Sequence, residues 1–295
     1  MQERFITETL FVSLGIDKNK TKQVMSQSYY QRQKAKRLAQ QQAASTFNVE
    51  DIKTYTAKSL QFDDSLFIPM KTGKEIDTII STEGGIMPAT AMMLAGGPGS
   101  GKTTVTLDML AGLTKQGYRC LFVSGEMDQI GFFKYSRRMP HIQNVETLFL
   151  RDYALRVKDV LEHVFDLGYD IICVDSIAEV IDLYKDGYSV TEGMAEHWYL
   201  QLLDKHKKGY NSKGVHTSFI SIQQQTKAGD FVGSNRLKHM MDSCAHIKKN
   251  KETGERSMWF SKNRDCGFDY TLHFDIDSEG VRYHFGPVEG EEHEE

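Results

Sequence analysis

Residues 90–117 read TAMMLAGGPGSGKTTVTLDMLAGLTKQG, and this stretch decides the fold. A short apolar run ends at Gly96, and a helix-spaced segment begins at Lys102 and stops at Gly117. Between them, Gly96-Gly97-Pro98-Gly99-Ser100-Gly101-Lys102-Thr103 fits the phosphate-loop pattern G-x-x-x-x-G-K-[ST] without a mismatch, with Thr104 next in line. Glycines let backbone N–H groups turn toward a polyphosphate, and the following helix N-terminus adds a favourable dipole. The pattern makes Gly96–Thr104 a candidate ATP site. Lys102 would bridge the outer phosphates and the Thr103 hydroxyl would hold Mg²⁺.

Outward from this loop the chain alternates apolar strands with helical segments. RCLFVSGE (119–126), YDIICVDS (169–176) and VHTSFISIQQ (215–224) read as strands. RDYALRVKDVLEHVFDLG (151–168) and TEGMAEHWYLQLLDKHKK (191–208) read as helices. Apolar strands separated by helices of this length predict an α/β core, a mainly parallel sheet flanked by helices. After residue 244 the pattern becomes two strand–turn–strand units, with turns at KETGE and DSEG, so antiparallel hairpins should extend the C-terminal edge. The expected organisation is a helical N-terminal arm (1–48), a connector (49–70), the ATPase core (71–287) and an acidic tail (288–295).

Strand ends supply the remaining chemistry. Asp175 closes the run IICVD and suits the Mg²⁺ shell; Asp170, at the start of the same strand, would lie at its far end. Glu126 follows CLFVSG at a carboxyl-end edge, where ligands bind in open α/β sheets, and is the candidate general base. Gln223 or Gln224, at the end of SFISIQQ, could sense the γ-phosphate. Lys262 and Arg264 alternate with Asn263 on a strand and project from one face. An arginine finger supplied by another subunit would make hydrolysis depend on assembly.

Composition narrows the setting. Hydrophobic residues make up 40%, enough for a core, and no apolar run is long enough to span a bilayer. The net charge of −4 does not by itself imply nucleic acid, yet Lys18, Lys20, Lys22, Arg32, Lys34, Lys36 and Arg37 concentrate in the arm, whose QSYYQRQKAKRLAQQQAA reads as one polar helix. Four dispersed cysteines without C-x-x-C spacing argue against a zinc knuckle or a disulfide framework. With no signal-like N-terminus, these features point to a cytoplasmic protein of a bacterial cell or a phage-infected host.

The motifs fall in an order that resembles the RecA superfamily, most closely the bacterial RadA (Sms) core, from about Thr72 to Phe285. Thr72-Gly73 with Glu75-Ile76-Asp77 resembles its opening T-G-x-x-E-L-D, shortened by one residue. Ser124-Gly125-Glu126 is similar to V-S-G-E, whose glutamate is the family's base, and Val174-Asp175-Ser176 to V-D-S. Thr226-Lys227-Ala228-Gly229 resembles T-K-E-G, Leu237–Asp242 resembles L-E-H-M-V-D, and Lys262-Asn263-Arg264 equals the K-N-R of K-N-R-F-G. The resemblance implies that Lys262 and Arg264 reach ATP held by a neighbouring subunit, in a homo-oligomeric ring or filament. It also implies single-stranded DNA as partner. Residues 226–239, with Lys227, Arg236 and Lys238, and 183–193, with Lys185, Tyr184 and Tyr188, occupy the positions of the family's DNA-binding loops. Family phenylalanine is replaced here by Asp265-Cys266, and RadA's zinc finger and Lon-like domain have no counterpart, so its branch-migration role is not carried over. A DnaB-type helicase core and a KaiC-like ATPase with a protein partner share the layout and stay open as alternatives. A monomeric P-loop kinase fits less well, since it would have no use for Lys262 and Arg264 in trans.

Overall fold

A computed structural model describes residues 50, 52–225, 235–265, 267 and 270–285. The expected arm (1–48), Lys227 with residues 226–234, and the tail (288–295) lie outside the described residues. The chain divides between Gln61 and Phe62. In the first unit, residues Ala57–Ser59 form one 3₁₀ turn held by Thr56 and Ser59.

In the second unit one nine-stranded sheet organises the domain. Its strands are β1 (Ala91–Gly96), β2 (Cys120–Ser124), β3 (Glu146–Phe149), β4 (Ile171–Asp175), β5 (Ser218–Gln224), β6 (Ser243–Lys249), β7 (Arg256–Asn263), β8 (Leu272–Asp277) and β9 (Gly280–Phe285). They lie in the order β3-β2-β4-β5-β1-β6-β7-β8-β9. The first six are parallel to their neighbours, and β7 to β9 continue antiparallel. This is the mainly parallel α/β sheet with C-terminal hairpins that the sequence predicts. β6 is both the last parallel strand, beside β1, and the first arm of a hairpin.

Helices α1 (Lys102–Lys115), α2 (Gln129–Arg138), α3 (Val157–Asp166), α4 (Ile177–Tyr188), α5 (Glu192–Lys207) and the short α6 (Asn235–Met240) connect the strands. Strand alternation divides the core into two layers. Met92, Leu94, Phe122, Cys173, Ile220 and Ile222 face the layer containing α1. Met93, Val123, Ile172, Val174 and Phe219 face the layer of α3, α4 and α5. Burial on both faces is why these strands read as continuous apolar runs rather than alternating ones.

Three expectations need correction. β3 was not predicted; it is a four-residue edge strand, none of whose residues is fully buried. The helix expected over 151–168 is a 3₁₀ segment, Leu150–Arg156, broken at Tyr153, followed by α3. Residues 183–188, expected as a loop, are the last turns of α4, which ends where Ser189 adopts φ +51°.

The domain opening and its last motif fold onto each other. The Asp77 carboxylate accepts hydrogen bonds from Thr72 N (3.0 Å), Thr72 Oγ1 (2.8 Å) and Gly73 N (2.9 Å), and a helical turn, Asp77–Ile80, follows. Asn263 Nδ2 donates to the carbonyls of Ile79 (3.2 Å) and Ile80 (3.0 Å) at the end of that turn. A Cβ at Gly267 would stand 2.1 Å from Ile79 O, so glycine is required there by contact.

Candidate active site

Parallel register brings the carboxyl ends of the central strands side by side: Gly96 pairs with Gln224, and Ser124 with Asp175. Along that edge opens a cavity of about 740 Å³. It is lined by the phosphate loop and by Glu126, Asp175 and Gln224, together with Tyr135, Arg138, Arg256 and Asp277.

Glycine geometry and close contacts shape the loop. Gly101 has φ +111°, which a β-carbon would strain, and a Cβ there would meet Ile276 Cδ1 at 2.8 Å. Its backbone feeds directly into α1, whose N-terminus therefore faces the cavity. The Lys102 ammonium is folded onto the carbonyls of Gly96 (2.8 Å) and Gly97 (3.0 Å). Burial lowers its pKa, opposed by the charges of Asp175 and Glu126. Ser100 Oγ is buried with no hydrogen-bond partner among the described residues and crowds Gly96, where a Cβ would stand 2.8 Å from it.

Thr103 Oγ1 donates to Asp175 Oδ2 at 2.6 Å, so two hard oxygens meet beside the loop. Desolvation pushes the Asp175 pKa up to about 6, with the Thr103 hydrogen bond and Lys102 pulling the other way and Glu126 adding to the rise. Magnesium commonly takes one or two protein oxygens and completes its shell with phosphates and water, so this pair fits it. Asp170, at the opposite end of β4, accepts from Arg119 N (2.7 Å) instead.

Glu126 is exposed at the cavity, and its Oε1 accepts from Gln224 Nε2 at 3.0 Å. Ser124 buckles the intervening turn by donating to Met127 O (2.8 Å) and accepting from Met127 N (3.1 Å). Of the two glutamines left open by the sequence, Gln224 lines the cavity; Gln223 points to the other face of β5 and is buried. Sequence reading missed Tyr135, whose hydroxyl meets Thr104 Oγ1, and Arg138, whose guanidinium lies 4.6 Å from the Tyr135 ring centre. It also missed Arg256 and the β8–β9 turn, which arrive from the far end of the chain.

Lys262 and Arg264 are not in this cavity. β7 runs antiparallel to β6, so Lys262 lies level with Cys244 and Met93, Asn263 lies level with Ser243 and Met92, and Arg264 follows beyond the end of β7. Met93 stands three residues before Gly96, so Lys262 sits about 10 Å back along the strand direction from the phosphate loop, and two strands across from β1. Lys262 Nζ donates to the carbonyls of Lys238 (3.3 Å), His239 (3.0 Å) and Met241 at the end of α6. Arg264 Nη1 approaches Asp242 Oδ1 at 3.3 Å.

Similarity to known proteins agrees with this geometry. A family model described as ATPase: KaiC matches residues 70–147, which contain the phosphate loop and Glu126. The chain carries a KaiC-like ATPase domain of the RecA superfamily. Among curated relatives, DNA repair protein RadA of Campylobacter jejuni is 27% identical over 209 residues, 70% of this chain and 44% of the relative. RadA of Mycobacterium tuberculosis is 28% identical over 199 residues, 66% of this chain and 39% of the relative. The chain thus spans less than half the length of these relatives. Among solved structures, the flagellar accessory protein FlaH from Methanocaldococcus jannaschii superposes with a TM-score of 0.56 at 14% identity, covering 74% of this chain and 99% of that one. A KaiC-like protein from Pyrococcus horikoshii gives 0.52 at 17% identity, covering 73% and 98%. Those likenesses show the fold of the ATPase domain.

The cations assigned to DNA contact are differently placed. Lys185 sits on α4 and pairs with Asp182 at 2.5 Å. Tyr184 and Tyr188 pack on each other at 5.0 Å between ring centres, and Tyr184 lies 4.4 Å from Trp198, so both rings are committed to the layer beneath. Arg236 reaches His197 Nδ1 at 2.8 Å, and Lys238 lies on α6. Among the described residues, no helix is long and apolar enough to cross a membrane.

Proposed function

We propose that the chain hydrolyses ATP at sites shared between copies, and that the assembly acts on single-stranded DNA in repair, recombination or replication. One observation carries the shared site: Lys262 and Arg264 lie outside the cavity, back along the sheet from the strand ends that bear their own phosphate loop. Cations so placed are available to a neighbour's site, as an arginine finger supplied in trans is.

Within one subunit, the loop amides, Lys102 and the N-terminus of α1 bind the phosphates. Thr103 and Asp175 would hold Mg²⁺, which would supply positive charge against the developing charge of the phosphates. Glu126, oriented by Gln224, accepts the proton of the attacking water. Gln224, bonded to Glu126 and lining the cavity, is the residue placed to sense the γ-phosphate. Tyr135 and Arg138 form an aromatic–cation pair suited to a purine face. From the neighbouring copy, Lys262 and Arg264 stabilise charge that develops on the transferred group.

The DNA reading is supported by the similarity to DNA repair proteins RadA and by the basic residues Lys227, Arg236 and Lys238 around the segment after β5. A second reading, a KaiC-like ATPase acting on a protein partner, is favoured by the packing of Tyr184 and Tyr188 away from solvent and by the Lys185–Asp182 pair. ATP turnover measured with and without single-stranded DNA across a salt series separates them. Stimulation, with binding that weakens steeply as salt rises, supports the DNA reading. Equal turnover with no salt-dependent binding supports the protein partner.

A further inference from the structure

His246 on β6 connects the nucleotide edge to β7, which carries Lys262 and leads into Arg264. Its Nδ1 lies 2.9 Å from Gln225 Nε2, and its Nε2 lies 2.7 Å from Ser261 Oγ. An amide nitrogen has only hydrogens to offer, so Gln225 donates to Nδ1; Nε2 then carries the imidazole proton and donates to Ser261. Trp259 stacks on the ring at 5.3 Å and 14°, fixing its plane. Burial, aided by the charge of Lys238, lowers the His246 pKa and favours this neutral, one-proton form.

Both partners of the ring are strategic. Gln225 follows Gln224, the residue bonded to Glu126, and its own N–H donates to Gly96 O (3.3 Å) at the start of the phosphate loop. Ser261 is an extra residue in β7. Cys244 pairs with Lys262 but Ala245 pairs with Phe260, so Ser261 forms a bulge immediately before Lys262. A bulge re-aims the side chains beyond it, and here it sets the direction of Lys262 and Arg264. The Ser261 hydroxyl also approaches Cys244 O (3.5 Å), so it is held between β6 and the ring.

We infer that His246 is a positioning residue, which fixes the Ser261 bulge and thereby aims Lys262 and Arg264 at the neighbour's ATP, in register with Gln225 at its own nucleotide edge. The inference rests on the shared-site reading above. A structural brace alone would stabilise the domain without preferring one side of a shared site; the proposal requires that preference.

Mixed assemblies test it. Lys102→Ala subunits lack a working site but offer intact Lys262 and Arg264, whereas Arg264→Ala subunits have a site without the finger. Their mixture hydrolyses ATP at Arg264→Ala sites served by Lys102→Ala neighbours. His246→Phe keeps the stacked ring and removes both hydrogen bonds. Placed in the Lys102→Ala subunit, it should reduce mixture turnover about tenfold or more, the scale of a misaimed catalytic group. Placed in the Arg264→Ala subunit, its effect should be several-fold smaller. Ser261→Ala, at an exposed position where misfolding is not expected, should show the same asymmetry. Equal losses in the two placements, or no loss in either, would overturn the proposal. Failure of Lys102→Ala and Arg264→Ala to complement each other, before His246 is touched, would instead contradict the shared site and remove the proposal's basis.

Discussion

The two ends of the central strands differ in what their polar groups are doing. At the carboxyl end, Ser100 Oγ is buried without a partner, Lys102 is folded on its own loop, and a cavity stands open. At the amino end, the three residues of K-N-R are engaged within the chain: Lys262 on carbonyls at the end of α6, Asn263 on the Asp77–Ile80 turn, and Arg264 at Asp242. One end is built to receive a ligand. The other is a clasp that presents two cations while tying together the beginning and end of the domain. The motif proposed to act in trans thus has a cis structural role, and the two roles can be separated by mutation.

The largest expected effect is at the receiving end. Lys102→Ala or Glu126→Gln should lower ATP turnover by about 10³-fold or more, with Glu126→Gln still binding nucleotide, as measured by steady-state hydrolysis and nucleotide titration. At the clasp, Arg264→Ala should reduce turnover by about 10²- to 10³-fold while shifting the melting temperature by no more than about 2 °C, because the side chain is 62% exposed. Lys262→Ala should cost turnover on a similar scale and also destabilise the domain by about 1–2 kcal/mol in urea titrations, since it strips the carbonyls at the end of α6 of their donor. If Lys262→Ala and Arg264→Ala had identical stability, the clasp would not be the difference between the two ends. Gly267→Ala, which forces a backbone contact rather than removing a charge, should destabilise by about 1–3 kcal/mol and leave per-chain turnover of the folded fraction near normal.

The smallest effect is one of pH. Burial lifts the Asp175 pKa out of the usual carboxylate range to about 6, so in EDTA the folded protein takes up this proton before the unfolded chain does. The contribution of Asp175 to stability is therefore present in full below the unfolded value and fades as pH rises through about 6. In EDTA, the melting temperature of the wild type relative to Asp175→Asn should rise as pH falls from about 7 to 5. A constant difference across that range would contradict the buried-carboxylate reading of the receiving end.

The receiving end was largely legible because its signals are local. A glycine-rich loop between an apolar strand and a helix is written in consecutive residues, and Asp175 and Glu126 each follow an apolar run. Alternation explains why sequence left Gln223 and Gln224 open: neighbours on a strand face opposite sides, and only the sheet's layers say which side holds the cavity. Arg256, Asp277 and Ser278 were invisible because nothing near them in sequence points to phosphate; antiparallel pairing of β7, β8 and β9 carries them back to the phosphate loop. β3 escaped because four half-exposed residues at a sheet edge have little apolar periodicity. Residues 183–193 were read as a loop from their place after β4 in the family resemblance, yet Tyr184 and Tyr188 lie four residues apart on one helical face, packed on each other, with Tyr184 against Trp198.

The central claim is that a single chain holds only half of a hydrolytic site. Its most direct test is ATP turnover per chain measured over a protein dilution series at saturating ATP and Mg²⁺, for the wild type and for Arg264→Ala. The predicted result is turnover per chain that climbs with concentration as copies associate and then levels off, while Arg264→Ala stays low and flat throughout. Wild-type turnover that is the same per chain at every dilution, including where sedimentation shows only monomer, would contradict it.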